Sequence, residues 1–600
     1  MADTAQRSSA AEERSLGGLA LAAADRHSGD AMRAPGRPAI TYAEFGRAIR
    51  EIAGGLAALG VEPGDPVAIL CGTIPEWTLA DFGAFCAGAV VVPVYHTNSP
   101  EECEYVLQHS GAKVVLLEDA EQAAKVAAVR PNLPELEHVV VLTGEAPDAI
   151  TLADLRGRGV ENGEQVARER TEAITPDDTA TIVYTSGTTG PPKGCVLSHG
   201  NLLYTAGAYI ERLELRDKPS IMFQYLPLAH VLARMVSFVT IEVGGTLAFW
   251  GGDTKNLAAD IAEAQPTHIP TVPRLLEKIM TRVISTAEGA GGAKAAIFKR
   301  ALSTGEKVAK AQREGGSVNP LIKIQAALGH KLALSKVKNA LGPNDPVLIT
   351  GAAPIGAEVI EFFYACGVPV LEGYGMTETC AAATLNTLSE IQVGSVGRPL
   401  PGTEVSLGDD GEILMRGPHV FKGYHRNQEA TDAIIDDDGW LHSGDLGEII
   451  DGYVRITGRK KDLIITSSGK NVSPEMLESA LRETRWISQA IAAGDRRSYL
   501  VALVTIDPDE APKLAAELGV PADPESMATD EKVRERIWED IDTVNQRFAR
   551  IEQIKRFAIL PHDLSQETGE LTPTLKVKRS VVYEKYAGDV DALYEGTPSE

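Results

Sequence analysis

From Ile40 onward, short β-branched runs alternate with segments of helical spacing, and this alternation restricts the fold more than any other feature. Residues 67–71, 89–95 and 113–117 have the length and composition of strands, while 44–59 and 100–109 place apolar residues at helical intervals. Strands that alternate with helices pair in parallel, because the helix supplies the crossover a parallel pair needs. Further strands are predicted at 139–143, 179–184, 245–250, 346–350 and 368–372. No short repeat of solenoid type interrupts the pattern.

The chain of 600 residues is 44% hydrophobic and 24% charged, so it is globular and long enough for several domains. Its net charge of −25 disfavours a polyanion such as nucleic acid and also tight docking on anionic membranes. A small polyphosphate stays compatible with it, since one local site can invert the field. Cys71, Cys86, Cys103, Cys195, Cys366 and Cys380 are scattered, with no CxxC pair, and predict reduced, buried thiols in a cytoplasmic protein. No window reaches the ~18 apolar residues of a membrane span. The apolar stretch 16–24 follows Glu12, Glu13 and Arg14, unlike the basic leader of a signal peptide, and is predicted as an amphipathic first helix.

Two changes of texture divide the rest. Residues 281–343 are Lys- and Ala-rich with helical spacing, and predict a pair of helices inserted at about 280–345, with a loose tip at 289–294. After Gly402, short strands at 404–407, 412–416, 448–450 and 453–456 are separated by Gly and Asp turns. The charged turn Gly458-Arg459-Lys460-Lys461-Asp462 then precedes a compact αβ stretch: helix 474–483, strands 487–493 and 500–506, helix 531–551. A polar turn of this kind suits a hinge. The expected domains are therefore 1–460 and 461–600.

Six islands carry chemistry, the charged turn at Arg459 among them. Tyr184-Thr185-Ser186-Gly187-Thr188-Thr189-Gly190-Pro191-Pro192-Lys193-Gly194 follows a predicted strand and is expected to lead into a helix near Leu197. Its glycines let successive N–H groups face one point, its hydroxyls add donors and Lys193 adds charge, which together make a phosphate cradle. No Gly-Lys-Ser/Thr closes it, so it is not the Walker pattern. Gly351-Ala352-Ala353-Pro354 and Glu372-Gly373-Tyr374-Gly375-Met376-Thr377-Glu378-Thr379 sit at strand ends, where ligands of α/β sheets collect. Tyr374 offers a face to a purine, and Glu378 a hard oxygen to Mg²⁺. Asp445, after a Ser443-Gly444 turn, can accept hydrogen bonds from the two hydroxyls of a ribose. Near the C-terminus, Thr572-Pro573-Thr574-Leu575-Lys576-Val577-Lys578-Arg579 concentrates cations.

In order and spacing these islands resemble the adenylate-forming superfamily of acyl-CoA synthetases, nonribosomal adenylation domains and luciferases, over about residues 15–595. Within it, Tyr225-Leu226-Pro227-Leu228-Ala229-His230 followed by Arg234, the helical insertion and the Lys576 motif resemble bacterial long-chain fatty-acid–CoA ligases. The resemblance implies an α/β fold: a large body of layered α/β subdomains with a β-rich subdomain, and a small mobile α+β C-terminal domain. It implies two half-reactions, in which a carboxylate attacks the α-phosphorus of ATP to give acyl-adenylate and pyrophosphate, and the CoA thiol then displaces AMP.

It also implies roles, residue by residue. Thr185, Ser186, Gly187, Thr188, Thr189, Gly190 and Lys193 would hold the phosphates. Glu378 with Thr185 would hold Mg²⁺. Gly351, Ala352, Ala353 and the run Glu372, Gly373, Tyr374, Gly375, Met376, Thr377 would surround the adenosine. Asp445 and Arg459 would hold the ribose. Lys576, with Lys578 as the fallback, would pair with the carboxylate and α-phosphate, and His230 would act near the carboxylate or the thiol. Lys461, where many relatives carry Asp, would be the hinge, with Gly469 and Lys470 brought to the CoA channel. Met235, Val236, Phe238 and Val239 would wall the acyl tunnel. A fatty acyl-AMP ligase serving a carrier protein, an aryl-CoA ligase and a silent nucleotide-binding regulator are the competing readings. The resemblance admits a homodimer and transient peripheral membrane contact.

Overall fold

Local capping chemistry sets the helix starts. Thr41 Oγ1 accepts from the Glu44 N–H at 3.2 Å and the Glu44 carboxylate accepts from the Thr41 N–H at 2.8 Å, which fixes the start of helix Tyr42–Ala58. Ser99 and Glu102 do the same for Pro100–Ser110. The computed structural model describes residues 14–185, 191–216, 218–313, 316–467, 469–572 and 576–595.

Among these residues two large sheets form the N-terminal body. In the first, Pro66–Leu70 pairs in parallel with Val90–Val94 and Val114–Leu117, and the sheet continues through His138–Val141 to Ile150–Thr151. Its other edge turns antiparallel, with Lys193–Ser198 between Thr179–Thr185 and Gly423–Tyr424. In the second, Thr246–Phe249, Ile221–Gln224, His268–Thr271, Val347–Thr350 and Val370–Tyr374 run parallel. The shared core takes residues from helices Leu16–Arg26, Tyr42–Ala58, Pro75–Cys86, His199–Arg212 and Val231–Glu242. A third sheet, Glu404–Leu407, Glu412–Arg416, Leu441–Ile450 and Tyr453–Arg459, is antiparallel. Beyond it, Ile487–Ala493, Leu500–Ile506 and Ile554–Leu560 form a small sheet with a hydrophobic core of its own, packed by Pro474–Arg482 and Glu531–Asn545. The six cysteines are buried and unpaired, and no described helix is long and apolar enough to cross a membrane.

Four expectations need correction. The Gly/Ser/Thr loop leads into a strand, not a helix: Lys193–Ser198 pairs back on Thr179–Thr185, with Thr185 opposite Lys193. The helix starts later, at His199, because Ser198 and Asn201 cap one another. The insertion is not a pair of helices. Pro273–Gly289, Gly292–Arg313, Pro320–Gly329 and Ser335–Ala340 follow one another, and the expected loose tip becomes a tight turn with Gly291 and Gly292 at positive φ. Ser443-Gly444-Asp445 is not a turn but lies within strand Leu441–Ile450, where Gly444 takes φ 72°. The last long helix ends at Asn545 rather than at 551.

Helix Pro75–Cys86 had no counterpart in the sequence analysis. All twelve of its residues are buried, so it lacks the polar face that makes a helical period visible.

Candidate active site

The strand ends of both large sheets, the antiparallel sheet and the C-terminal domain enclose one cavity of about 3350 Å³. Thr185, Lys193, His230, Gly351, Ala352, Ala353, Glu372, Gly373, Tyr374, Gly375, Met376, Thr377, Glu378, Asp445, Arg459, Lys461 and Lys576 all line it. Ser186, Gly187, Thr188, Thr189 and Gly190 lie outside the described residues.

At one end, Thr185 and Lys193 face each other at the mouth of their hairpin. The Lys193 ammonium lies 5.0 Å from the centre of the Tyr424 ring, and the Tyr424 hydroxyl donates to Glu378 Oε1 at 2.7 Å. Burial, reinforced by the Glu378 charge, holds the Tyr424 proton on well above the ordinary phenol range. Tyr424 had no place in the sequence analysis. Glu378 is 6% exposed. No cluster of three His, Cys, Asp or Glu that could hold a metal exists among the described residues. One carboxylate beside a threonine hydroxyl suits a hard cation that takes its remaining ligands from phosphates and water, as Mg²⁺ does.

At the centre, Tyr374 Oη donates to Asp445 Oδ2 at 2.8 Å, and Arg459 Nε lies 2.9 Å from Asp445 Oδ1. Asp445 and Arg459 are register partners across strands Leu441–Ile450 and Tyr453–Arg459. Arg459 also lies 3.7 Å from Glu475, a second residue that was missed. The adjoining Gly375 cannot be replaced without rearrangement, because a Cβ there would stand 2.0 Å from the Ala381 carbonyl oxygen. Ala352 sits at φ 69°, a conformation that costs a non-glycine residue energy and is commonest at functional sites. Burial pushes the Glu372 carboxyl up to about 8.

Lys576 enters from the C-terminal domain. A bridge between Leu571 and Val577 narrows its loop, the Thr572 N–H donates to the Lys576 carbonyl at 2.8 Å, and the Lys576 N–H donates to Thr572 Oγ1 at 3.0 Å. Burial and then Arg459 lower its amine to about 8, opposed by Asp445, Glu475 and Glu378. His230 caps helix Val231–Glu242, its Nδ1 accepting from the Leu232 N–H at 3.2 Å. Burial and the Lys576 charge lower its imidazole to about 4, so it is neutral at pH 7. Lys578 has its N–H tied to the Glu570 carbonyl at 2.7 Å.

Two sets of residues stand apart. Gly469 and Lys470 are exposed between strands Ile464–Ile465 and Asn471–Val472 and do not line the cavity. Met235, Val236, Phe238 and Val239 do not line it either, which corrects their placement as tunnel walls. Phe238 instead packs edge-on to Phe82 and Phe85 in the core between the sheets. Helix Val231–Glu242 buries ten of its twelve residues, so its apolar pattern does not reveal which face meets a cavity. The apolar arm runs under the insertion, lined by Ile279, Val283, Phe298, Val337 and Leu341.

The N-terminal body also meets the C-terminal domain: Arg274 on helix Pro273–Gly289 donates to Ser488 Oγ at 2.7 Å, and Arg547 lies 2.8 Å from Glu358 on helix Ala357–Ala365.

The profile of the AMP-binding enzyme family matches residues 21–425, and that of the AMP-binding enzyme C-terminal domain matches 461–598. The chain belongs to the AMP-binding enzyme family. Among the relatives of this family member is the long-chain-fatty-acid–CoA ligase FadD15 of Mycobacterium bovis, 40% identical over 559 residues that cover 92% of each chain. The long-chain-fatty-acid–CoA ligase ACSBG2 of Xenopus laevis is 33% identical over 607 residues, covering 94% of this chain and 81% of its own. The anthranilate CoA ligase AuaEII in complex with anthranoyl-AMP shares the adenylate-forming fold at a TM-score of 0.73, with 20% identity over 97% of this chain and 99% of its own. A Mycobacterium tuberculosis fatty acyl CoA synthetase superposes at 0.58, with 24% identity over 96% and 99%.

Proposed function

We propose that this chain activates a long-chain fatty acid with ATP to an acyl-adenylate and transfers the acyl group to CoA, releasing AMP and pyrophosphate. The observation that carries the proposal is the buried Lys576 ammonium, brought from the C-terminal domain to the meeting point of Asp445, Arg459 and Glu378, with an apolar arm leading away. The relatives named as long-chain-fatty-acid–CoA ligases support the same substrate class.

A carboxylate is repelled by a triphosphate, so the first half-reaction needs charge neutralisation and alignment rather than a covalent nucleophile. Lys193 and Thr185 would face the β- and γ-phosphates. Lys576 would bridge the carboxylate and the α-phosphate, and Asp445 would accept from the ribose hydroxyls while Arg459 holds it in place. Glu378 and Thr185 would hold Mg²⁺, which neutralises phosphate charge when bound. His230, neutral, would contribute a hydrogen bond but no charge beside the acid. Lys461 would be the pivot between half-reactions, at the boundary between residues 1–460 and 461–600. Gly469 and Lys470 would reach the cavity only after that swing.

Thioester formation across a panel of chain lengths tests the proposal: CoA-dependent AMP release that peaks with long-chain acids supports it. Adenylate formation without CoA-dependent release would shift the acceptor to a carrier protein, and a preference for aryl acids would overturn the substrate class. Each buried methylene is worth ~0.8 kcal/mol, about fourfold in selectivity. Val337→Trp, which fills the arm, is therefore expected to cut kcat/KM for the longest acids by about tenfold or more and to spare short ones. An unchanged chain-length profile would remove the arm from substrate binding.

Closure itself is expected to depend on pH. Burial and the neighbouring Glu358 hold the Glu483 carboxyl well above its ordinary range in the closed arrangement. Closing therefore takes up a proton, and rising pH above the ordinary carboxylate range opposes it. Glu483→Gln should flatten this fall in ATP–pyrophosphate exchange, which can reach about tenfold per pH unit for one proton. A variant with the wild-type pH profile would clear Glu483 of the effect.

A further inference from the structure

Helix Pro100–Ser110 holds both ends of the Gly/Ser/Thr loop. Tyr105 Oη donates to the Pro192 carbonyl at 3.0 Å, where the loop ends. One turn on, His109 Nδ1 lies 2.8 Å from the Tyr184 hydroxyl, where the loop begins. The Tyr105 and His109 rings stack on each other, with 5.4 Å between centres and 16° between planes. Residues four apart on a helix are neighbours on one face, so the helix itself fixes the spacing of the two contacts. Tyr184 is buried and stands edge-on to both rings.

The points that are held are the ones the sheet leaves loose. The ladder between strands Thr179–Thr185 and Lys193–Ser198 stops at the pair Thr185 and Lys193, so the Pro192 carbonyl lies beyond it. Tyr105 supplies the hydrogen bond that the ladder does not. The peptide between Pro192 and Lys193 is planar, so holding that carbonyl sets the plane from which Lys193 departs. On the other side the His425 N–H donates to the Gly194 carbonyl at 2.7 Å, and the His425 ring meets His109 edge-on at 5.4 Å. A contiguous row of contacts therefore joins Pro192, Tyr105, His109 and Tyr184, and continues through His425 to Gly194. Burial and then the Arg426 charge push the His109 imidazole down, so it is neutral at pH 7 and contributes position rather than charge. Packing alone would not put one polar atom on each end of the same loop.

We infer that Tyr105 and His109 are positioning residues for ATP: they brace the two ends of the loop at one spacing, so that Thr185 and Lys193 meet the β- and γ-phosphates already aligned. With the brace in place the nucleotide spends no binding energy on assembling its site, and without it part of the affinity for ATP goes into ordering the loop. AMP has no β- or γ-phosphate and should not register the difference. This role rests on the phosphate contacts given above to Thr185 and Lys193.

Calorimetric titration of the full-length protein with ATP and with AMP tests it. Tyr105→Phe keeps the ring stack and loses the hydroxyl. It should weaken ATP binding about two- to tenfold, the usual worth of one hydrogen bond, while AMP binds as in the wild type. His109→Phe should do the same, and His109→Asn, whose amide can stand where Nδ1 stands, should restore most of the ATP affinity. KM for ATP in pyrophosphate exchange should rise in parallel with kcat changed less, and thioester formation from supplied acyl-adenylate should be unaffected. Equal weakening of ATP and AMP would reduce the pair to structural packing, and unchanged ATP affinity in both phenylalanine variants would remove it from nucleotide binding; either result overturns the inference. Lys193→Ala separates the brace from the phosphate contacts it serves. If Lys193→Ala loses ATP affinity selectively and the phenylalanine variants do not, the brace alone fails. If Lys193→Ala binds ATP as the wild type does, the phosphate role of the loop fails and takes the brace with it.

Discussion

Replacing Lys576 by Ala is expected to slow adenylation about 10²–10³-fold, the usual cost of removing one preorganised charge from a transition state. Thioester formation from supplied acyl-adenylate should be largely retained. The asymmetry follows from geometry. The ammonium is buried at the junction of Asp445, Arg459, Glu475 and Glu378, where the C-terminal domain is docked, and a domain that swings would carry it away for the second step. Its pH signature has a definite sign. The amine lies at about 8 in the substrate-free cavity because burial and Arg459 disfavour its charge. As pH rises through about 8 the free enzyme loses the ammonium, so kcat/KM for ATP in adenylation should fall. kcat should persist to higher pH, since bound phosphate and carboxylate restore the charge. Lys578→Ala should leave both half-reactions near wild type. Equal loss of the two half-reactions in Lys576→Ala, measured by pyrophosphate exchange and by thioester formation, would refute the role.

The second large effect is on stability. Arg234 and Asp81 form an ion pair in the core, at 1 and 2% side-chain exposure. Two hydrogen bonds join them, at 2.6 and 3.1 Å, and a third runs from Arg234 to Thr181 Oγ1 at 2.7 Å. The guanidinium also stands about 5.5 Å from the ring centres of Trp77, Phe85 and Phe238. Removing one partner leaves a charge buried without compensation, so Asp81→Ala should cost about 3–5 kcal/mol. The double variant Asp81→Leu, Arg234→Met should recover most of that loss, since an apolar pair of similar volume is often as stable as a buried ion pair. Denaturant midpoints followed by tryptophan fluorescence measure both. Losses that simply add in the double variant would show that the two side chains do not act as a unit. In the sequence Arg234 was a mark of subgroup; in the structure it ties helix Val231–Glu242 to helix Pro75–Cys86.

The nucleotide-facing islands were legible because their chemistry is local. A glycine-rich turn at a strand end, a Gly351-Ala352-Ala353-Pro354 run after a strand or an Asp445 beside a glycine can be found by reading along the chain. The helix after Lys193 was misplaced because the local pattern does not reveal that the chain turns back to pair antiparallel with the strand it has just left. Tyr424 and Glu475 stayed hidden because each acquires meaning only from what it touches: Glu378 in one case, Arg459 in the other. The tunnel walls were misread for a related reason. Hydrophobicity states that a side chain leaves water, and it does not distinguish a packed core from an apolar cavity.

The α/β alternation, the order of the motifs and the family were determined by the sequence alone, because turn chemistry, capping and hydrophobic period act over a few residues. Only the tertiary structure decided that most of the candidate residues line one cavity and that residues of the insertion line it too. Those facts depend on contacts between residues up to hundreds of positions apart, which packing sets and local patterning cannot encode.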